Sequence, residues 1–359
     1  MKFVCTDELV KGMRIARPIY NQNGVLLYDR GSKLTKQGIS SIKNFKLFGI
    51  YILEPVEPIP PMTDDDIEFE RFQTMNVYAI RENWEMAKMS KKLLGLDMMA
   101  EDIQKIYSNS RKKIDFTQTL RSEEDEAYKH TLNSTILATL MAARLRISES
   151  EQLNLIRASL LYDIGRDMGG VRRRPFESDF NYFLRAHEEG SKLIMNNDKI
   201  DEEVREIVVG RYRLEAGMQR LGESIASVKI LQAAQDFDNY IAAKIGENPL
   251  SDVTAIRKML AASDKYGVEI LSALIDSIKI LRPGICVQLT DKRAGLVIRA
   301  NNKNVLRPII LIFEDNSVCD LTDDNTFAKV QIADIMKTLD KRIIIDPKII
   351  SEFMSRYAE

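Results

Sequence analysis

Residues 153–170 constrain the fold more than any other part of this 359-residue chain. Apolar side chains recur there at positions 153, 156, 160 and 164, the spacing of one buried face of a helix. Asp163 and Arg166 nevertheless lie in the last turn, just before a pair of glycines. A charge taken out of water is tolerated only beside a metal ion or an opposite charge. We therefore expect Asp163 to have a partner inside a helical core.

The overall composition narrows the class of protein. With 45% apolar and 29% charged residues, the chain has the content of a globular protein of about two or three domains. A net charge of -1 argues against a general nucleic-acid binder. The three cysteines form no CxxC pair, which is typical of a reducing compartment. Because no apolar run could cross a bilayer and no signal peptide is evident, we expect a cytoplasmic protein without a membrane partner.

Changes in periodicity divide the chain into five segments. Residues 1–55 read as a small α+β domain with a hairpin turn at Asn23-Gly24, and 56–68 as a proline-rich, charged linker. A helical connector should follow over 69–120, a helical domain over 121–281 and a β-rich unit over 282–359. The predicted fold class is therefore mainly α: a helical bundle with a small N-terminal α+β unit and a small C-terminal β unit.

Local signals refine this outline. Ser148 and Glu151 have the spacing of a capping box, and Asp201 should begin another helix. In the C-terminal unit, strands are expected at 285–290, 295–300, 307–313 and 327–332. The connector carries more apolar positions between Met75 and Leu120 than one thin segment can bury. We therefore expect a homodimer formed partly there, although the same helices could pack on the main domain.

Four residues could form a metal site. Glu126 and His130 are four apart, so both side chains project from one face of a helix. Asp163 lies on a second helix, and His187 is expected to open a third. Such a set is a credible zinc-like or hard-metal constellation, although solvated or salt-bridged polar residues would show the same pattern. His130 and His187 are the only histidines in the chain, and both fall in this set.

These residues also carry a family resemblance. Glu126 to His130, the run Leu160-Leu161-Tyr162-Asp163-Ile164-Gly165-Arg166 and the run His187-Glu188-Glu189-Gly190 resemble the HD-GYP family. That family comprises bacterial cyclic-di-GMP phosphodiesterases of the HD superfamily of metallohydrolases. The segment Lys11-Gly12-Met13-Arg14-Ile15-Ala16-Arg17-Pro18 resembles the region often found ahead of such domains. Residues 282–308 resemble the family's β tail, so the likeness covers most of the chain and implies an HD-type bundle in bacterial cyclic-di-GMP signalling.

The resemblance fails at several of the metal-binding positions that it implies. Tyr162 stands where the family's histidine–aspartate pair has its histidine, and Gly210 and Arg211 stand where it has two adjacent histidines. Gln235 aligns with a late aspartate, and the Gly-Tyr-Pro signature has no counterpart in 216–220. Of eight implied metal positions, Glu126, His130, Asp163 and His187 keep a ligand type. We expect this remnant set to hold at most one divalent ion and no other cofactor, because a two- or three-metal hydrolase needs bridging ligands that are missing.

Three functions are compatible with this degenerate pattern. The first is a catalytically inactive protein that acts in signalling through contacts with a protein partner, which leaves no catalytic residues and only the remnants Asp163 and Arg166. The second is a metal-independent sensor of cyclic di-GMP or another nucleotide. Its phosphate ligands would be guanidiniums, drawn from Arg166, Arg172, Arg173, Arg174, Arg211 and Arg213. The third is a residual metal-dependent phosphodiesterase.

The sequence makes one sharper prediction about Arg211. If the pocket kept its outline when the ligands were replaced, this guanidinium should form a salt bridge with Asp163 or Glu126. One fixed positive charge would then replace a mobile cation. Asp163 would be ionised and paired, as its buried position requires.

Overall fold

The computed structural model describes most of the chain. The described ranges are 2–16, 18–20, 25–44, 49–53, 64–90, 95–109, 113–114, 125–167, 171–218, 225–242, 249–301 and 303–336. Within these ranges no helix is both long and apolar enough to cross a membrane.

The N-terminal residues form a small α+β unit with its own apolar core. Strands β1 (Lys2–Cys5), β2 (Arg14–Ile15) and β5 (Gly49–Leu53) make an antiparallel sheet in the order β1-β5-β2. Strands β3 (Ile19–Tyr20) and β4 (Leu26–Tyr28) pair antiparallel, as the Asn-Gly signal predicted, although the turn itself lies outside the described residues. Helix α1 (Lys36–Asn44) buries Ile42 against the three-stranded sheet's apolar residues.

In its described residues, the connector forms two helices that pack on the bundle. Helix α2 (Asp64–Ser90) buries one stripe at positions 73, 77, 80, 84 and 87, spaced alternately by four and three residues. Helix α3 (Leu96–Tyr107) buries Met99, Ile103 and Tyr107 in the same apolar cluster as the central helices. Residues 56–63 of the expected linker lie outside the described residues. Its last residues, 64–68, belong to α2, which begins at Asp64. Most of the connector's apolar side chains are therefore used within one chain.

Helix α4 (Glu126–Arg144) is the axis of the bundle, and its residues from His130 to Ala142 are all buried. Helices α2, α5 (Glu149–Tyr162), α8 (Ile225–Ile241) and α11 (Val268–Ser277) surround it. The remaining helices complete the bundle: α6 (Asp179–Met195), α7 (Glu202–Glu215), α9 (Asp252–Ala261) and α10 (Ser263–Tyr266). The capping box of Ser148 and Glu151 is confirmed at the start of α5. Asp201 precedes α7, as predicted.

The C-terminal unit is a five-stranded antiparallel sheet in the order β10-β6-β7-β8-β9. Its strands are β6 (Cys286–Leu289), β7 (Ala294–Arg299), β8 (Ile309–Ile312), β9 (Val318–Asp320) and β10 (Ile332–Ile335). The strand expected over 327–332 is wrong, because helix α12 (Asp324–Lys329) occupies its first half and β10 begins only at Ile332. The Asp323 carboxylate accepts the backbone N–H of Thr326 and starts this helix. Val287, Val297 and Ile310 share the apolar cluster of the helices, so the sheet closes one end of the bundle.

A short backbone seam joins the end of the connector to the end of the bundle. The Ile114 N–H donates to the Ser277 carbonyl at 2.9 Å, and the Ile114 carbonyl accepts from the Lys279 N–H at 2.8 Å. Ile114 and Ile278 are thereby paired as in a parallel sheet. The predicted class, a mainly α helical bundle with two small β-containing units, is confirmed.

Candidate functional site

Asp163 is the centre of a buried polar network. It follows α5 directly and begins a 3-10 turn, Asp163–Asp167, and its side chain is 2% exposed. Its Oδ1 lies 3.0 Å from His187 Nε2, while Oδ2 accepts from Gln235 Nε2 at 3.3 Å and Thr131 Oγ1 at 3.5 Å. His130 Nε2 is 3.9 Å from the same Oδ2. The expectation that this acid has partners in a helical core is confirmed.

Each imidazole of the network lies between two carboxylates. His130 Nδ1 is 2.7 Å from Asp238 Oδ2 on α8, on the ring side opposite Asp163. His187 Nδ1 is 2.7 Å from Glu215 Oε2 at the end of α7. The two histidines therefore link Asp163 to two further acids, and helices α4, α6, α7 and α8 meet at one cluster.

Helix α2 supports the cluster from outside. The Asn133 side-chain amide donates to Asp238 Oδ1 at 3.0 Å, and the Gln73 amide donates to Asn133 Oδ1 at 2.9 Å. The Trp84 indole N–H donates to the Leu160 carbonyl at 2.9 Å, near the end of α5. Because the Gln73 and Trp84 contacts bridge the connector and the bundle, the network's position depends on α2.

Arg166 is the guanidinium that faces the remnant acids. Its Nη2 donates to Glu126 Oε2 at 2.7 Å, and its Nη1 lies 3.6 Å from Asp163 Oδ1. The Arg166 side chain is only 7% exposed, and its guanidinium carbon stands 4.5 Å from the centre of the Phe183 ring. The two acids and the aromatic face offset the free-energy cost of burying this cation.

The prediction of a salt bridge between Arg211 and Asp163 or Glu126 is wrong. Arg211 is buried, but its Nε donates to Gln235 Oε1 at 2.8 Å, and Gln235 in turn donates to Asp163. The neutral amide stands between the cation and the acid because its oxygen and nitrogen can serve both. The guanidinium carbon lies 5.2 Å from the centre of the Tyr162 ring, and Nη1 has no hydrogen-bond partner among the described residues.

Tyr162 fills the position where the resemblance implies a histidine. It is fully buried, and its hydroxyl donates to Glu215 Oε2. Its ring centre lies 4.4 Å from that of His187. Tyr162 therefore fixes the acid that orients His187, and it offers no imidazole nitrogen to a metal.

The pKa shifts follow from these contacts. Burial opposes the charged form of Asp163, but the imidazole of His130, the hydrogen bond from His187 and the charge of Arg166 lower its pKa overall. Burial likewise opposes Glu215, yet the hydrogen bond and charge of His187, with Arg211, lower its pKa to about 2. Burial would lower the pKa of His187, but Asp163 and Glu215 raise it. These pKa shifts favour the ionised form of Asp163 and Glu215 and the protonated form of His187.

A close backbone crossing fixes the geometry of the turn that carries Arg166. A Cβ atom added at Gly165 would lie 1.8 Å from the Ala186 carbonyl oxygen and 2.9 Å from the Gly190 nitrogen. No side chain fits there, so only glycine lets the 3-10 turn approach α6. On the other side, Lys88 Nζ donates to the Asp167 carbonyl at 2.8 Å.

The remaining predicted ligand arginines lie elsewhere. Arg172, Arg173 and Arg174 are exposed in the segment before α6, and Arg173 forms an ion pair with Asp179. Arg213 lies on α7, two residues after Arg211, and is half-buried. The structure thus brings together Glu126, His130, Asp163, Arg166, His187 and Arg211. It leaves Arg172, Arg173 and Arg174 at the surface.

The donor set of this cluster is arranged for hydrogen bonding. Among the described residues, no group of three or more His, Cys, Asp or Glu side chains is placed so that it could hold a metal ion. His187 Nε2 and Asp163 Oδ1 contact each other directly, and Arg166 lies between Asp163 and Glu126. A guanidinium beside two potential ligands repels a further cation.

Two acids of the network were not predicted as site residues. Asp238 follows Gln235 by three residues, and an acid among apolar neighbours such as Ala234 and Phe237 was the available signal. Glu215 gave no signal, because an acid at the end of an exposed-looking helix is common.

The comparisons with known proteins are sparse. No family model matches the sequence, and no curated protein matches it. One solved structure, an HDG"Y"P protein from Bdellovibrio bacteriovorus, is similar with a TM-score of 0.45 and 16% identity. The similarity covers 76% of this chain and 97% of that one.

Proposed function

We propose that this chain is a degenerate HD-GYP-like protein of bacterial cyclic-di-GMP signalling that has no hydrolytic activity and acts through contacts with a protein partner. The observation that carries the proposal is the place of Arg166. Its guanidinium lies between Glu126 and Asp163, two of the four positions that keep a ligand type. A fixed cation there takes over the neutralising role that the resemblance assigns to metal ions.

The other changed positions support the same proposal. Tyr162 uses its buried hydroxyl to bind Glu215, and Arg211 is a buried cation. Gly210 has no side chain, and Gln235 uses its amide to join Arg211 to Asp163. Activation of water on a phosphodiester needs ions held close together by anionic or imidazole ligands. Here those ligands are already bonded within the protein: Glu126 to Arg166, His130 to Asp238, and Asp163 to His187.

The proposal is tested by hydrolysis and metal content in the same sample. Protein purified without chelator is assayed for metals and then incubated with cyclic di-GMP and excess Mn²⁺ or Fe²⁺, with product followed by chromatography. We expect fewer than about one ion per chain and no linear dinucleotide above the buffer blank. Two bound ions per chain, or turnover that chelator abolishes, would contradict the proposal and favour the residual enzyme.

The nucleotide-sensor alternative is separated by calorimetry with cyclic di-GMP and no added metal. Arg166 and Arg211 have buried side chains that contact residues of the network, which lowers their value as phosphate ligands. We expect no heat of binding at micromolar nucleotide. Saturable binding that Arg172→Ala, Arg173→Ala or Arg174→Ala weakens would favour the sensor.

Homodimerisation remains part of the proposal, on a smaller surface than the sequence indicated. Val77, Ile80 and Trp84 are buried within the chain, while Met75, Met89 and Met98 stay exposed on α2 and α3. Light scattering across micromolar concentrations tests it. A constant monomer mass would exclude the dimer in that range.

A further inference from the structure

The segment that leads into α6 is a loop held rigid by side-chain contacts. The Arg185 guanidinium binds both carboxylate oxygens of Glu177, at 2.8 and 2.7 Å, and donates to the Arg172 carbonyl at 3.0 Å. Glu177 also accepts the backbone N–H of Arg174 at 2.9 Å. Ser178 caps α6 by accepting from the Asn181 N–H at 3.3 Å. Loop and helix are therefore joined by several specific contacts.

This rigid loop displays a phenylalanine. Phe176 is completely exposed, at 107% of its reference surface, and its backbone φ is +60°. A bulky residue in the left-handed region is a genuine outlier, because its Cβ crowds the backbone. Phe176 gains nothing from burial in this chain to offset that cost. Strain held at an exposed aromatic side chain is typical of a functional position.

The surroundings of Phe176 are basic. Four guanidiniums, at Arg172, Arg173, Arg174 and Arg185, face two carboxylates, at Glu177 and Asp179, which leaves an excess of two positive charges. Phe180, the second residue of α6, is also 57% exposed. An aromatic anchor surrounded by arginines has the composition of an interface hot spot.

We propose that the loop of residues 172–180 is a docking site for an acidic segment of a partner protein, with Phe176 inserted into an apolar pocket of that partner. This inference rests on the proposed function and specifies the chemistry of its protein contact. The partner's carboxylates pair with Arg172 and Arg174, and its apolar residues enclose the Phe176 ring. Because the loop is already ordered, little conformational entropy is lost on binding.

The charge pattern favours a protein over a bilayer or a nucleic acid. Glu177 and Asp179 lie within the loop, where an anionic lipid surface or a phosphate backbone would meet like charge beside the arginines. A protein surface can place its own donors opposite these two acids. Mixed charge around one aromatic residue therefore fits a specific protein surface better.

The test places a photo-cross-linking amino acid, p-benzoylphenylalanine, at position 176 of the full-length chain in its native host. The same probe at Val268, which is 74% exposed on α11, is the matched control. The segment cross-linked at 176 is identified by mass spectrometry, synthesised, and titrated against purified protein by fluorescence anisotropy. We expect a segment with net negative charge and apolar residues, absent from the Val268 sample.

Affinity and stability of loop variants complete the test. Phe176→Ala should weaken binding of that peptide about tenfold or more, and Arg172→Glu with Arg174→Glu should weaken it and reduce its salt dependence. Phe176→Asn should melt at or above the temperature of the parent, because asparagine tolerates a positive φ. Phe176→Tyr should bind nearly as the parent does.

Other results would overturn the inference. Cross-links to phospholipid or nucleic acid, identical captures from both positions, or no capture at 176 would each do so. A loss of several degrees in the melting temperature of Phe176→Asn would assign the residue to the fold. All of these outcomes leave the hydrolysis and metal assays unaffected, so failure of the docking site is distinct from failure of the proposed function.

Discussion

Replacing Arg166 by alanine should destabilise the bundle more than any surface substitution. The change removes a cation that is 7% exposed and leaves Asp163, which is 2% exposed, facing Glu126 without it. Removing one partner of a buried pair typically costs about 3–5 kcal/mol. Asp163 keeps His187, Gln235 and Thr131 as partners, so we expect the lower end, about 3 kcal/mol.

That magnitude can be measured by unfolding followed through helical circular dichroism. At about 2–4 °C per kcal/mol for a domain of this size, Arg166→Ala should lower the melting temperature by roughly 6–12 °C. Arg173→Ala is the matched control, because its ion pair with Asp179 is more than half exposed on both sides and should contribute below about 1 kcal/mol.

A double-mutant cycle identifies the cause. Arg166→Met, Glu126→Gln and the double variant should show a coupling energy of about 1–3 kcal/mol. The double variant should lose less free energy of unfolding than the two single variants lose together. Strict additivity, or an Arg166→Ala variant that melts like Arg173→Ala, would refute the claim that Arg166 neutralises the remnant acids.

Three further predictions address the rest of the network. Arg211→Ala should lower the free energy of unfolding by about 1–3 kcal/mol, because Gln235 Oε1 loses its donor. Arg213→Ala, on the same helix, should lower it by less than about 0.5 kcal/mol. Equal melting temperatures of the two variants would place Arg211 outside the network. Gly165→Ala should lower the free energy of unfolding by more than about 3 kcal/mol, because the added Cβ meets backbone atoms of α6. Gly217→Ala is the control: its φ is +72° but the space around it is open, so it should lower that free energy by about 1–2 kcal/mol. The reverse order would contradict the close approach of the 3-10 turn to α6. The carboxyl of Glu215 has a pKa lowered from 4.5 to about 2, so it should contribute roughly 3 kcal/mol of stability. This stability is present above pH 4.5 and is lost as the pH falls toward 2. The fall in unfolding free energy with acid should be less steep in Glu215→Gln than in the parent, and an unchanged slope would contradict the prediction.

The helical part of this fold could be predicted because its signals are local. The Ser148–Glu151 capping box and the acid after the apolar stripe of α5 each follow from spacing alone. The strand predicted over 327–332 failed for the same kind of reason. A capping carboxylate at Asp323 outweighed the apolar character of the residues that follow it.

The candidate site was harder to predict, because tertiary packing determines which side chains contact one another there. The sequence brought the two histidines together with Asp163 but paired that acid with Arg211. Whether Arg166 or Arg211 reaches Asp163 depends on Gln235, whose amide occupies the space between helices α7 and α8. No spacing along the chain encodes that side-chain order.

The seam at Ile114 determines how the protein can be divided for experiment. A chain that begins at residue 121 loses the two backbone hydrogen bonds to Ser277 and Lys279, and with them α2, whose Trp84 and Gln73 contact the bundle. The isolated central segment would expose the apolar stripe that α2 covers and would be prone to aggregation. Fragments for calorimetry or binding assays should therefore start before Asp64 and keep α2 with the bundle.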